Sequence, residues 1–139
     1  MVDIVQTKKN NVVVYPQTHV KAVLDIDEKK VLNISTPSYP ELSLNFTGVG
    51  KIATLTMYAN LTKAIANGET SLGKWELGTF LPNLPFMVRG YVMTGSTPHR
   101  NKHFDLYINS RGDVYIYCEG LDSSMIGTTV YISYTYVTL

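Results

Sequence analysis

Between Phe104 and Cys118 apolar and polar residues alternate on either side of a short turn, Phe104-Asp-Leu-Tyr-Ile-Asn-Ser-Arg-Gly-Asp-Val-Tyr-Ile-Tyr-Cys118. Successive side chains of a strand point to opposite faces, whereas a helix repeats its apolar residues every three or four positions. The segment is therefore predicted as a β-hairpin. Its inward face carries Phe104, Leu106 and Ile108 on one strand and Val114, Ile116 and Cys118 on the other. Ser110-Arg-Gly-Asp113 falls where a tight hairpin needs a residue that tolerates positive φ. Its Arg-Gly-Asp tripeptide is thus read as turn chemistry and not as an integrin-type adhesion motif.

The same two-residue period recurs along most of the chain. Leu42, Leu44 and Phe46 alternate with Ser43, Asn45 and Thr47 before Gly48-Val-Gly50 breaks the run, and Leu55, Met57 and Ala59 share one face of the next strand. From Glu41 onward, Leu61 to Ala66 is the one stretch that reads as a helical turn. Trp75 to Phe80 leads into Leu81-Pro-Asn-Leu-Pro85, whose prolines forbid a central strand. Further strands are expected from Met87 to Thr94 and from Thr128 to Thr138, with a polar loop from Gly95 to Lys102 between Thr94 and the hairpin. Short strands separated by turn signals predict an all-β antiparallel sandwich or barrel over residues 41–139.

Residues 1–40 differ in character. The run Val12-Val-Val-Tyr15 ends at Pro16, Thr18 to Leu24 fits a short strand or one helical turn, and Val31 to Ile34 fits a strand before the two-proline connector Thr36-Pro-Ser-Tyr-Pro40. This part is read as an N-terminal attachment or stem segment.

Composition narrows the function classes. Twelve basic and eleven acidic residues give a net charge of +1, so no global field draws the chain to nucleic acid or to an anionic membrane. The longest apolar runs fall far short of the roughly 20 residues that span a bilayer, so membrane insertion is not expected. Asp3, Gln6, Lys8 and Lys9 interrupt the start, which does not read as a secretory leader, and synthesis in a cytoplasm is expected. The single cysteine, Cys118, cannot form an internal disulfide and reads as a small apolar core residue. His99 and His103 have metal-ligand spacing only on a helix, and Pro98 and Arg100-Asn-Lys102 make this a loop. No metal or other cofactor is expected. Asn33, Asn45 and Asn60 match glycosylation sequons, read as chance without a secretion signal. No catalytic constellation stands out, so the chain is not read as an enzyme.

The outward face of the hairpin is the candidate site. It carries Asp105, Tyr107, Tyr115 and Tyr117, and the closing strand adds Tyr131 and Ser133. Cross-strand packing alone accounts for many strand tyrosines, at roughly 0.2–1 kcal/mol per pair. The competing readings are burial against another subunit and ligand stacking, because tyrosine joins an apolar ring to a hydrogen-bonding tip. Acidic and aromatic side chains together form the kind of surface that binds saccharides.

The ordered set Trp75-x-Leu-Gly-Thr79, Leu81 to Pro85, Val88 to Thr94 and Phe104-Asp-Leu-Tyr-Ile-Asn-x-x-Gly112-x-Val-Tyr-Ile-Tyr117 resembles the C-terminal head domain of lactococcal-type siphophage receptor-binding proteins. The resemblance runs from about Gly50 to Leu139, roughly two thirds of the chain. Asn11 to Leu24 is similar to leader segments of tail-fibre and baseplate proteins. The resemblance implies a homotrimeric head at a phage tail tip or baseplate, held to other tail proteins by its N-terminal segment and binding a host cell-wall saccharide without cleaving it. Within that resemblance the saccharide contacts fall on Asp105, Tyr107 and Tyr117, with Tyr115 beside them. The family's histidine, carboxylate and tryptophan at the first three positions are replaced here, which implies an altered pocket. Trp75 is a further candidate platform, though beside Leu77 and Phe80 it reads more simply as a core anchor. The rival readings are a structural fibre or baseplate subunit that binds no sugar and, more remotely, a glycan hydrolase using two carboxylates.

Overall fold

The computed structural model describes residues 29–139. Ten strands follow one another: β1 Lys29–Thr36, β2 Glu41–Val49, β3 Ile52–Asn60, β4 Gly68–Lys74, β5 Phe86–Arg89, β6 Tyr91–Thr94, β7 Thr97–Pro98, β8 His103–Ile108, β9 Asp113–Glu119 and β10 Thr129–Val137. They form two antiparallel sheets, one of order β1-β2-β3-β10-β6-β7 and one of order β4-β9-β8-β5. Of the all-β sandwich or barrel expected from the alternation, the sandwich is the fold. No helix among the described residues is long and apolar enough to cross a membrane.

The core lies between the sheets and is built from the faces that alternation assigned. Leu42, Leu44, Phe46, Leu55, Met57 and Ala59 come from β2 and β3, and Val130 and Ile132 from β10. Facing them, Phe104, Leu106, Ile108, Val114, Ile116 and Cys118 of β8 and β9 are all buried. Tyr134 is half-buried and packs its ring 4.6 Å from Phe86. Trp75 also lies half-buried against the core, and its backbone N–H donates to Gly112 O at 2.9 Å.

Five features depart from the sequence reading. The strand expected over Val31 to Ile34 is longer, running over Lys29–Thr36, and pairs along its whole length with β2 as an edge strand. The strand expected over Val12 to Tyr15 and the element over Thr18 to Leu24 lie outside the described residues. β2 continues through Gly48, whose missing side chain leaves room for the Phe80 ring, and turns only at Gly50. Leu61 to Ala66 forms no helix; buried Leu61 and Ile65 tie it down, their N–H groups donating to Thr128 O and Leu121 O. Polar, Gly-flanked β4 gives no alternating signal, yet it pairs with β9 around a bulge between Ser71 and Gly73.

The fifth departure matters most. Met87 to Thr94 is not one strand but two, because the chain leaves the smaller sheet at Arg89 and joins the larger one at Tyr91. Gly90 makes the crossing. A Cβ there would stand 2.6 Å from Val130 Cγ1 and 3.0 Å from Ile132 Cγ1, and the Gly90 N–H donates to Phe104 O at 2.7 Å. Backbone packs directly on core at this point, so the strand has to change sheets.

Two outcomes test this packing. Gly90→Ala forces atoms into a filled core and is expected to cost about 1–3 kcal/mol in urea denaturation. Second, burial, with a smaller contribution from Asp105, pushes the Cys118 thiol from 9.0 up to about 12. Burial also raises Tyr136, whose hydroxyl donates to Phe80 O at 2.7 Å. Both groups are held protonated in the fold and ionise more easily unfolded. Their stabilisation is complete below about pH 9 and is lost as pH rises toward about 12. Alkylation of Cys118 at pH 8 is expected to be at least about a hundredfold slower in native protein than in denaturant. Tyr136→Phe is expected to cost about 1 kcal/mol at neutral pH and to flatten the alkaline loss.

Candidate functional site

The register of the smaller sheet sets its outer face. Glu69, Tyr117, Asp105 and Arg89 are cross-strand partners in one row, and Ser71, Tyr115, Tyr107 and Met87 form the next. The four residues singled out in the sequence are thus the central block of a grid. Their neighbours Glu69 and Met87, from β4 and β5, join Asp105, Tyr107, Tyr115 and Tyr117 in lining one open depression of about 470 Å³. Trp75 is not part of that lining.

The hairpin turn locks this register. Asn109 Oδ1 accepts from Arg111 N at 2.9 Å and from Asp113 N at 3.0 Å, while Asn109 Nδ2 donates to Asp113 Oδ2 at 2.9 Å. Gly112 takes φ 88°, the left-handed conformation expected within the turn, and a Cβ there would meet Trp75 O at 2.6 Å. The hydrogen bond from Asn109, ahead of the Arg111 charge, holds the Asp113 carboxyl below the usual range. Arg-Gly-Asp is accounted for by this turn.

Asp105 differs from the sequence expectation of an accessible acid. It does lie on the outer face, but it is only 5% exposed. Arg89, directly across in register, donates from Nε to Oδ1 at 2.9 Å and from Nη2 to Oδ2 at 3.2 Å. Such a bidentate pair spends much of the carboxylate's accepting capacity. Asp105 therefore holds Arg89 in place, and the guanidinium, well exposed on its outer side, is the group presented to solvent.

The tyrosines remain available. Tyr107 and Tyr115 are half-buried neighbours with ring centroids 5.8 Å apart and planes tilted by 51°. Tyr117 is 39% exposed, and its hydroxyl donates to Glu119 Oε2 at 3.2 Å, which together with the Glu119 charge raises its pKa. Met87 is 62% exposed beside this pair. The surface offers apolar ring area flanked by hydroxyls, the Glu69 carboxylate and the Arg89 guanidinium. It can stack on a flat apolar face and hydrogen-bond that ligand's rim.

Glu69, Met87 and Arg89 were absent from the sequence reading of the site. Arg89 and Met87 carried a usable signal, since an expected strand beside the hairpin brings its outward residues to the same face. Glu69 carried none, because β4 lacks alternation. Elsewhere His99 Nε2 is 2.7 Å from Thr94 Oγ1 and His103 Nε2 is 3.8 Å from Glu119 Oε1. Among the described residues no cluster of three or more His, Cys, Asp or Glu side chains comes together as a metal site. Compared with known families and with curated proteins, the sequence matches no family model and no individual protein.

Proposed function

We propose that this chain is a non-catalytic saccharide-binding head, acting as a receptor-binding protein of a bacteriophage tail fibre or baseplate. The observation that carries the proposal is the grid on the smaller sheet, where Tyr107, Tyr115, Tyr117 and Met87 surround an open depression beside an Arg–Asp pair. Saccharide rings have apolar C–H faces and hydroxyl rims, and exposed tyrosines complement both. Strands fix the backbone beneath these side chains, and each tyrosine has only two χ angles to order on contact. The sequence resemblance to lactococcal-type siphophage heads supports the placement at the virion's tail tip, the homotrimeric assembly and the host wall as the partner. In this reading the tyrosines contact the sugar, Arg89 supplies charged hydrogen bonds, and Asp105, one of the saccharide contacts the resemblance implied, positions Arg89 instead.

The test is binding of the purified protein to a panel of bacterial cell-wall preparations, with oligomer mass from light scattering. Tyr107→Ala and Tyr117→Ala are each expected to weaken wall binding about tenfold, a loss of ~1.4 kcal/mol, with the fold retained and the Tm of the Tyr107→Ala variant lowered by only a few degrees for its lost cross-strand pair. Wall binding that survives both substitutions would place the site elsewhere. A trimer that binds no wall leaves the structural-subunit reading, a monomer removes the trimeric assembly, and release of reducing ends makes the chain a hydrolase. Asp105 is a poor probe, because its removal also disturbs the buried end of an ion pair.

A further inference from the structure

The crossing at Gly90 creates a second cavity, of about 470 Å³, at the end of the sandwich. It lies where the chain passes from Arg89 in one sheet to Tyr91 in the other, and the turn from His99 to Lys102 walls its far side. That turn is tied down. His99 N donates to Val92 O at 2.8 Å, and Lys102 N donates to His99 O at 3.3 Å. The backbone that carries His99, Arg100 and Lys102 is therefore fixed.

The charge composition of this cavity is out of proportion to the chain. There are three arginines, Arg89, Arg100 and Arg111, and three histidines, His19, His99 and His103, in a protein of net charge +1. Arg89, Arg100, His99 and His103, two of each kind, line this one cavity together with Lys102, and no carboxylate is among its lining residues. The acids nearby act from outside it. Asp105 pairs with Arg89, Glu119 stands 3.8 Å from His103 Nε2, and Asp122, whose carboxyl is lowered mainly by Ser124, also feels Lys102. Among the described residues neither Arg100 nor Lys102 has a carboxylate within ion-pair distance. The His103 side chain is 23% exposed, and its buried Nδ1 has no hydrogen-bond partner among the described residues. Tyr91, 73% exposed, adds a ring and a hydroxyl at the mouth.

We propose that this cavity binds an oxyanion, the phosphate or carboxylate group of an acidic ligand. Arginine and lysine residues lining a concave surface favour such groups, which their donors bind through charge-assisted hydrogen bonds. The low-dielectric walls of Val92 and Pro98 focus the field into the cavity. Its volume holds an oxyanion with about one ring-sized substituent. The site stands on different residues from the tyrosine grid, touching it only through Arg89, and does not depend on the saccharide reading.

An amide NMR titration tests it, using inorganic phosphate, glucose 6-phosphate, glucuronate and neutral glucose at a constant ionic strength of about 0.15 M. Saturable shifts at Tyr91 and across His99 to His103 are expected with phosphate and with at least one acidic sugar, and not with glucose. The tighter of the two sugars identifies phosphate or carboxylate as the preferred group. Arg100→Ala lies on an exposed turn and is expected to weaken phosphate binding at least fivefold; Arg100→Ala with Lys102→Gln, at least tenfold. Arg100→Lys is expected to restore part of the affinity. Absence of saturation by phosphate, equal shifts with glucose, or unchanged affinity in the Arg100→Ala variant would overturn the proposal.

Discussion

The register of β8 against β9 is the constraint on which both the core and the candidate site depend. Phe104 pairs with Cys118, Leu106 with Ile116 and Ile108 with Val114, and the residues between them form the outer grid. A slip of one residue would send Phe104, Leu106 and Ile108 to solvent and press Asp105 and Tyr107 into the core. Burying one carboxylate without its partner costs several kcal/mol by itself. The Asn109 side chain and the left-handed Gly112 fix the turn length that excludes this slip. A small turn motif thus determines which face of the sheet is chemical and which is structural.

The second determinant is the crossing at Gly90. By moving the chain between sheets, it leaves Arg89 as the last residue of β5 and Tyr91 as the first of β6. Arg89 consequently lines the basic cavity while pairing with Asp105, which lines the tyrosine depression. The ion pair is largely sealed at its carboxylate end and open at its guanidinium end. Truncating either partner would act on both surfaces, whereas Tyr107 and Arg100 each belong to one.

Legibility from sequence followed burial. Where one face packs in the core and the other meets solvent, as in β2, β8, β9 and most of β10, alternation revealed strand, face and core residue together. It failed at β4, an edge strand whose residues are mostly exposed, since a strand with no buried face carries no hydrophobic period. It also failed at β5 and β6, where the two halves of one apolar run face the same core from opposite sheets. Tyr107, Tyr115 and Tyr117 were legible as outward residues because pleat geometry alone places them. The shielding of Asp105 was not, because it depends on Arg89 sixteen residues earlier in sequence. Pairing between strands is tertiary information. The concentration of arginine and histidine in one cavity likewise required knowing that Arg89 and the His99 turn converge.

Magnitudes separate sheet stabilisation from ligand contact on the tyrosine face. Tyr107 and Tyr115 form a cross-strand pair, worth roughly 0.2–1 kcal/mol, and that interaction suffices to explain their presence. It does not explain Tyr117 or Met87, which remain 39% and 62% exposed and so collect little of the burial energy available to large side chains. Scattered exposed apolar residues are ordinary on protein surfaces; these two flank the same depression as the paired rings. Their unburied area is contact energy that folding has not used. A flat-faced ligand lying across β5, β8 and β9 would cover Met87, Tyr107 and Tyr117 at once, without any backbone movement.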